Sequence, residues 1–335
     1  MIKIKAKGIL FIGDPHVSSK KIGRRLDEDF CATVCGKLDQ AFAIAAERDL
    51  YPVILGDLFD DEKDTKARML TWVARTLAKA QKKPLTIVGN HEKTQFFLTD
   101  DTALATMREA GVIDTLERGG FCAEVDIDGY RVLIGGTPYG QDFPASVEQE
   151  RRELGADKVF WLAHHDLAFQ GAYPGSSPIE EIVGVDYLVN GHMHKPTPPV
   201  TAGKMIAFNP GNITRVSVDC RDQAPSVWAW TPSTGDSLER IELIHVAAIM
   251  NLAGYVFGEG AVETVEEAEA SLLMRESTFS RLLKKRQMED AEKTDDAQIL
   301  KEDMDAVHLE LASDDGFKAY MLELLEDVLD SEEQS

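Results

Sequence analysis

The sequence predicts an α/β chain built on a largely parallel sheet, followed by an acidic helical extension. Three observations predict it. Short apolar runs recur at 8–13, 52–56, 85–89, 158–163, 185–190 and 205–208, each ending in Gly, Asp, Asn or His. Between the early runs, apolar residues repeat every three or four positions, the helical period. From residue 262 onward Gly and Pro nearly vanish, and Glu, Asp, Ala, Leu and Lys take over. Strand–helix–strand alternation argues for parallel strands covered on both faces.

The elements follow in order. Residues 1–7 alternate Ile and Lys like a first strand, without the charged, apolar and cleavable pattern of a leader, which points to the cytoplasm. A helix is expected over about 27–48, where Phe30, Val34, Leu38, Ala41 and Ala45 share a face. Others are expected over about 64–80 and 101–110. At 121–140 two β-like runs meet at Asp128-Gly129, a hairpin signal. "SVWAW" (226–230) and "RIELIHV" (240–246) read as further strands. The sheet region therefore ends near 246, dividing the chain into 1–246 and an acidic helical region, 247–335. In that region Phe317, Met321, Leu324 and Val328 fall on one helical face, beside Leu325 and Leu329. Such a face packs on the first domain, docks a partner or pairs with a second copy of the chain. Its one basic island, "RLLKKRQ" (281–287), is a solvated face or a nucleic-acid contact.

A length of 335 residues suffices for one large α/β domain plus an appendage. No run approaches the ~18 apolar residues needed to span a bilayer, so no membrane association is expected. Net charge is −22, and most of it is local. From residue 251 onward there are 23 acidic against 8 basic side chains, leaving 35 against 28 before it. A bulk basic footprint for long nucleic acid is missing, so polyanion binding must be local. Cys31, Cys35, Cys122 and Cys220 form no Cys-x-x-Cys pair. Cys31 and Cys35, one helical turn apart, read as two small buried residues rather than a metal or redox pair.

The chemistry collects at the ends of the apolar runs. Asp14 and His16 follow "ILFIG"; Asp57 follows "VILG" and precedes "LFD"; Asn90 and His91 follow "LTIVG"; His164 and His165 follow "VFWLA"; His192 and His194 follow "YLVNG". Ligands of open α/β sheets bind at the carboxyl ends of strands. On extended backbone, residues i and i+2 face the same way, so Asp14/His16 and His192/His194 each form a two-pronged clamp. Any one of these could be a loop cap or a satisfied polar residue. Four of the eight histidines (His16, His164, His192, His194), two carboxylates and an amide at the same kind of strand end are not independent coincidences. Oxygen and imidazole donors without thiolate suit Mn, Fe, Zn or Mg. They are too many for one tetrahedral site and enough for two ions sharing a carboxylate, the arrangement that clamps both oxygens of an in-line phosphoryl displacement. Two dications against two carboxylates leave the site near +2, which attracts a phosphodiester despite the acidic total.

In that order, "GDPH", "GDLFD", "GNHE", "AHH" and "GHMH" resemble the motifs of the calcineurin-like metallophosphoesterases. "GRRLDEDF" (23–30), "GTPY" (136–139) and "FNPGNITR" (208–215) are further similar to the SbcD-type branch, the nuclease subunit of the SbcC–SbcD DNA-repair complex, and its phage relatives. The resemblance spans about 8–245. It implies a four-layered α/β/β/α sandwich and a DNA nuclease, exonuclease or endonuclease, with two divalent ions, manganese foremost. A phosphatase or phosphodiesterase for nucleotides or other small esters is the alternative. It further implies that Asp14, His16, Asp57 and His194 hold one ion and that Asp57, Asn90, His164 and His192 hold the other. His91 would protonate the leaving oxygen rather than bind metal, a task suited to imidazole. His164 is favoured over His165 as the ligand because it directly follows the apolar run. His165 and Asp60 are expected beside the ligands. Arg24, Arg25 and Arg215 either touch phosphate or serve as surface charge and structural ion pairs.

Departures from the family pattern are Glu92 for Asp, Pro15 in the variable slot and "NPGN" for "NPGS". None removes a ligand, which argues against a non-catalytic scaffold. The implied partners are DNA and either an SbcC-like ATPase or a second copy of the chain at the C-terminal helices. The roughly 90 residues after the sheet region are too few for both a full DNA-facing cap and a docking segment.

Overall fold

The apolar runs build two sheets stacked face to face with helices outside, an α/β/β/α sandwich. The computed structural model describes residues 1–93, 97–169, 176–217, 220–232 and 236–246. In one sheet β2 (Gly8–Ile12), β3 (Leu50–Ile54), β4 (Leu85–Ile87) and β5 (Asp114–Leu116) run parallel as neighbours. β12 (Ser226–Thr231) and β13 (Ser237–Glu242) extend its other edge antiparallel. The second sheet runs β1 (Ile2–Lys5), β6 (Gly120–Ile127), β7 (Tyr130–Thr137), β8 (Lys158–Ala163), β9 (Tyr187–Asn190), β11 (Met205–Asn209), β10 (Thr197–Ala202). The expected hairpin joins β6 to β7, with Asp128 at φ 53° and Gly129 at φ 88°. Positive φ at both turn residues matches the twist of the strands.

Strand periodicity sorts the core into layers. Ile9 and Phe11 point between the sheets, against Phe160, Phe208 and Trp230, whereas Leu10 and Ile12 point to the helices. α1 (Phe30–Arg48), α2 (Ala67–Ala78) and α3 (Ala103–Glu109) cover that outer face through Val34, Leu38, Met69, Val73 and Leu104. α4 (Glu148–Leu154) lies beside the outer face of the second sheet, where Leu133, Val159 and Trp161 pack. Asp29 caps α1 by accepting the Ala32 N–H at 3.0 Å. Cys31 and Cys35 are both buried within α1, as two small core residues.

Three details differ from the sequence reading. The strand expected at 240–246 starts earlier and stops at Glu242. β5 and α4 are each too short to give a periodic signal. β10 carries Pro198 and Pro199, and it tolerates them because it is an edge strand bonded only to β11. The region 247–335, with the face at 317–329 and the island at 281–287, lies outside the described residues. Among the described residues no helix is long and apolar enough to cross a membrane.

Candidate metal centre

The carboxyl ends of β2, β3 and β4 in one sheet meet those of β8 and β9 in the other, so the five predicted strand ends converge. Hydrogen bonds hold the loops together beyond the strands: the His16 N–H donates to the Asp57 carbonyl (2.9 Å) and the Val17 N–H to the Leu58 carbonyl (2.8 Å). Asp14, His16, Asp57 and His192 all adopt positive φ, at 29°, 50°, 45° and 67°. Non-glycine residues rarely do so, and such strain collects where a structure must aim a side chain.

The side chains face one another at contact distance. Asp57 Oδ2 lies 3.1 Å from His164 Nε2 and 3.7 Å from His16 Nε2. Asn90 Oδ1 lies 3.1 Å from His164 Nε2 and 3.0 Å from His192 Nδ1. His16 Nε2 faces His194 Nε2 at 3.0 Å, and Asp14 Oδ1 lies 3.6 Å from His164 Nδ1. The other ring nitrogens are occupied. His164 Nδ1 donates to the Leu55 carbonyl at 2.7 Å, His16 Nδ1 meets Asp60 Oδ1 at 3.2 Å, and His192 Nε2 meets Asp166 Oδ1 at 3.1 Å. Such outer contacts fix the ring and leave the second nitrogen as a lone pair pointing inward.

His164 Nε2 faces two oxygens and His16 Nε2 faces His194 Nε2, a gathering of donor atoms that divalent cations would satisfy. Both carboxylate oxygens of Asp14 are buried without a hydrogen-bond partner among the described residues. A buried unpartnered carboxylate is costly. Burial pushes the Asp14 carboxyl up to about 6 and the His194 imidazole down to about 3. Burial also opposes charge on His164 and Asp57, yet each outweighs it for the other: His164 is pushed up to about 10, and Asp57 sits well below the usual carboxylate range. The donor set of carboxylate, amide and imidazole fits hard to borderline divalent ions.

Glycines permit this density. A Cβ at Gly191 would overlap the Leu55 carbonyl and stand 2.8 Å from both Asp14 Oδ1 and His164 Nδ1. One at Gly89 would overlap Asp57 Oδ1 and stand 2.8 Å from the Asp57 nitrogen. Gly89→Ala is therefore expected to cost about 1–3 kcal/mol of stability by overpacking and to weaken metal binding. Urea unfolding and metal titration check it, and wild-type values for both would refute the close packing.

The His91 ring stands edge-on to His16, centroids 4.9 Å apart, and with His16 and Asp60 it forms one of two side-chain groups close enough to hold an ion, Asp57, His164 and His192 forming the other. The His91 backbone N–H donates to Asp57 Oδ1 at 3.0 Å, and its Nδ1 bonds the Asp60 carbonyl at 2.7 Å. His164 faces the cluster. His165 turns away, its Nε2 on the Gln141 carbonyl at 3.1 Å and its ring against Phe143. Asp60 steadies His16. Arg25 and Arg215 lie away from the cluster, each in structural contacts. Arg25 is 5% exposed and pairs bidentately with Asp27 at 2.7 and 2.8 Å. Arg215 is 4% exposed and donates to the Arg221 carbonyl at 2.9 Å and to the Val246 carbonyl. Arg24 is half-buried in the same stretch.

Several supports escaped the sequence reading. Glu92 is fully buried and accepts the Leu58 and Gly89 N–H groups at 2.6 and 2.8 Å, tying the second motif to the third. Asn190 and Asn209 tie down the loops after β8 and β9 through the carbonyls of His165, Gly191, Met193 and Lys195. Asp166 and Tyr139 stand against His192, the Tyr139 ring centroid at 5.5 Å. Glu92, Tyr139 and Asn209 lie inside the segments GNHE, GTPY and FNPGNITR, whereas Asn190 and Asp166 are marked only by standing beside a motif.

The profile of the calcineurin-like phosphoesterases matches residues 8–196, more than half of the chain and all five strand-end motifs. The chain belongs to this family. The aspartates and histidines gathered here are consistent with a dinuclear divalent centre of that family. Among solved structures this phosphoesterase is similar to the NAD nucleotidase (NadN) of Haemophilus influenzae, at 15% identity, covering 72% of this chain and 50% of that one, with a TM-score of 0.45. It is similar to a 5'-nucleotidase precursor from Thermus thermophilus, at 15% identity, 82% and 59% coverage and a TM-score of 0.42. It is also similar to an archaeal phosphodiesterase, at 13% identity, 70% and 99% coverage and a TM-score of 0.35. The phosphoesterase spans between half and three-fifths of the two nucleotidases. No curated protein sequence matches it significantly.

Proposed function

We propose that the chain cleaves phosphodiester bonds in DNA as an SbcD-like nuclease using two divalent ions, manganese foremost. The observation that supports the branch is where its marker segments lie. "GTPY" brings Tyr139 against His192, and "FNPGNITR" places the Asn212 N–H on the His194 carbonyl at 3.0 Å and the Ile213 N–H on the Gly13 carbonyl at 3.0 Å. Both segments thus form walls of the centre rather than remote surface.

In this reading Asp14, His16, Asp57 and His194 hold one ion, and Asp57, Asn90, His164 and His192 hold the other. Bound there, the ions supply Lewis acidity and an activated water. Asp57 would serve both ions, and its Oδ1 also accepts the His91 N–H. Asp60 and Asp166 fix the rings of His16 and His192. His91, with Nδ1 held by the Asp60 carbonyl, presents Nε2 as the proton donor to the departing oxygen. The reading carries with it a partner at 247–335, an SbcC-like ATPase or a second copy of the chain.

A second reading, hydrolysis of nucleotides or other small phosphoesters, is favoured by one specific observation. Arg25 and Arg215 are locked inside the protein, and the chain before 251 has no basic surplus to hold a long polyanion. The deciding experiment compares manganese-dependent cleavage of an end-labelled DNA strand with hydrolysis of nitrophenyl mono- and diesters. DNA shortening that chelator abolishes is the expected result. Turnover of the small esters with the DNA left intact would replace the nuclease reading by the second one.

A further inference from the structure

Behind the loop that carries Asp14, the stretch before α1, α1 itself and the segment after β11 enclose a second polar recess. It is lined by Arg25, Asp27, Lys37, Thr214 and Arg215, among others. Three cationic side chains thus converge away from the metal centre, all nearly buried: Arg25 is 5% exposed, Lys37 6% and Arg215 4%. Asp27, the carboxylate lining the recess, spends both oxygens on Arg25. Lys37 is left with the Ile244 carbonyl, a dipole rather than a charge, and has no carboxylate partner among the described residues. A buried ammonium in that position is costly. Burial, aided by the repulsion of Arg215 and Arg25, pushes Lys37 down to about 8. Thr214, 1% exposed, has its hydroxyl buried without a hydrogen-bond partner among the described residues.

An unsatisfied hydroxyl and an under-compensated ammonium, facing the same space as two guanidinium groups, call for an anion with several acceptor oxygens. Tetrahedral phosphate meets that demand: it takes a point charge from ammonium and a hydroxyl hydrogen bond at once, in the positive field of guanidinium groups whose paired donors are held by Asp27 and by backbone carbonyls. We infer that this recess binds a phosphate group, separately from the metal centre. It touches the centre mechanically, because Ile213, which also lines it, donates its N–H to the Gly13 carbonyl beside Asp14. Occupancy would stiffen the loop that aims Asp14.

The test uses the full chain stripped of metal by chelator, so that no ion at the centre attracts the probe. Inorganic phosphate, titrated at constant ionic strength against chloride, is expected to give a saturable rise in melting temperature and a binding isotherm. Loss of one charge-assisted contact in Lys37→Met should weaken the phosphate Kd by about 10- to 100-fold. Thr214→Val removes only the hydroxyl and should weaken it in the same direction, which keeps the test open if Lys37→Met does not fold. A 5'-phosphorylated oligonucleotide and its unphosphorylated twin distinguish the source. A shift by inorganic phosphate alone assigns the recess to the free ion, and a shift by the phosphorylated strand but not its twin assigns it to a terminal phosphate. No shift with any phosphate probe, or equal shifts in wild type and both variants, would overturn the inference.

Discussion

Replacing Asp57 with alanine is expected to strip the centre of metal, abolish turnover and destabilise the chain by about 3–5 kcal/mol, the cost of removing one partner of a buried charge pair. Asp57 is 1% exposed and His164 is fully buried, and the two lie 3.1 Å apart. Without the carboxylate, His164 loses the partner that sustains its charge, and the Asn90 oxygen alone cannot replace it. Asp57 also accepts the His91 N–H through Oδ1, so the loop after β4 loses its anchor too. Because each proposed ion needs Asp57, both should go, since metal affinity resides in the assembled set rather than in any one ligand. Metal analysis beside urea unfolding in chelator separates the two effects. Unchanged metal content would contradict the bridging role.

His91→Ala is expected to lower turnover by about 10²- to 10⁴-fold, the range of a general acid, with metal content unchanged. The contact of His91 to Asp57 runs through the backbone N–H and survives the substitution, and its Nδ1 is held by the Asp60 carbonyl. The deficit should also shrink for a nitrophenyl diester, whose leaving oxygen departs without a proton. Loss of metal along with activity, or an equal deficit on both kinds of leaving group, would show that the acid role is misassigned.

Much of this was legible in the residues because strand ends are local. An apolar run that stops at Gly-Asp, Gly-Asn or Gly-His declares both a strand and what it presents, and Gly89 and Gly191 prove to be glycine because a Cβ would strike the neighbouring motif. The turn at Asp128-Gly129 was likewise set by two residues. What could not be read depends on contacts between distant segments. Arg25 and Arg215 look alike in sequence whether they face solvent or fill a recess, and only packing against Asp27 and the Arg221 and Val246 carbonyls decides. Asp166 matters because the loop after β8 carries it to His192. Glu92 lies one residue beyond His91, yet its work is to join two loops 34 positions apart.

The central claim is that residues from five strand ends in two sheets hold a pair of ions that share Asp57. Bound-metal stoichiometry of the manganese-loaded chain, with anomalous scattering to locate the ions, tests it most directly. The expected result is two ions per chain, both in contact with Asp57, one flanked by His16 and His194 and the other by His164 and His192. A single ion, or two ions of which at most one touches Asp57, would contradict it.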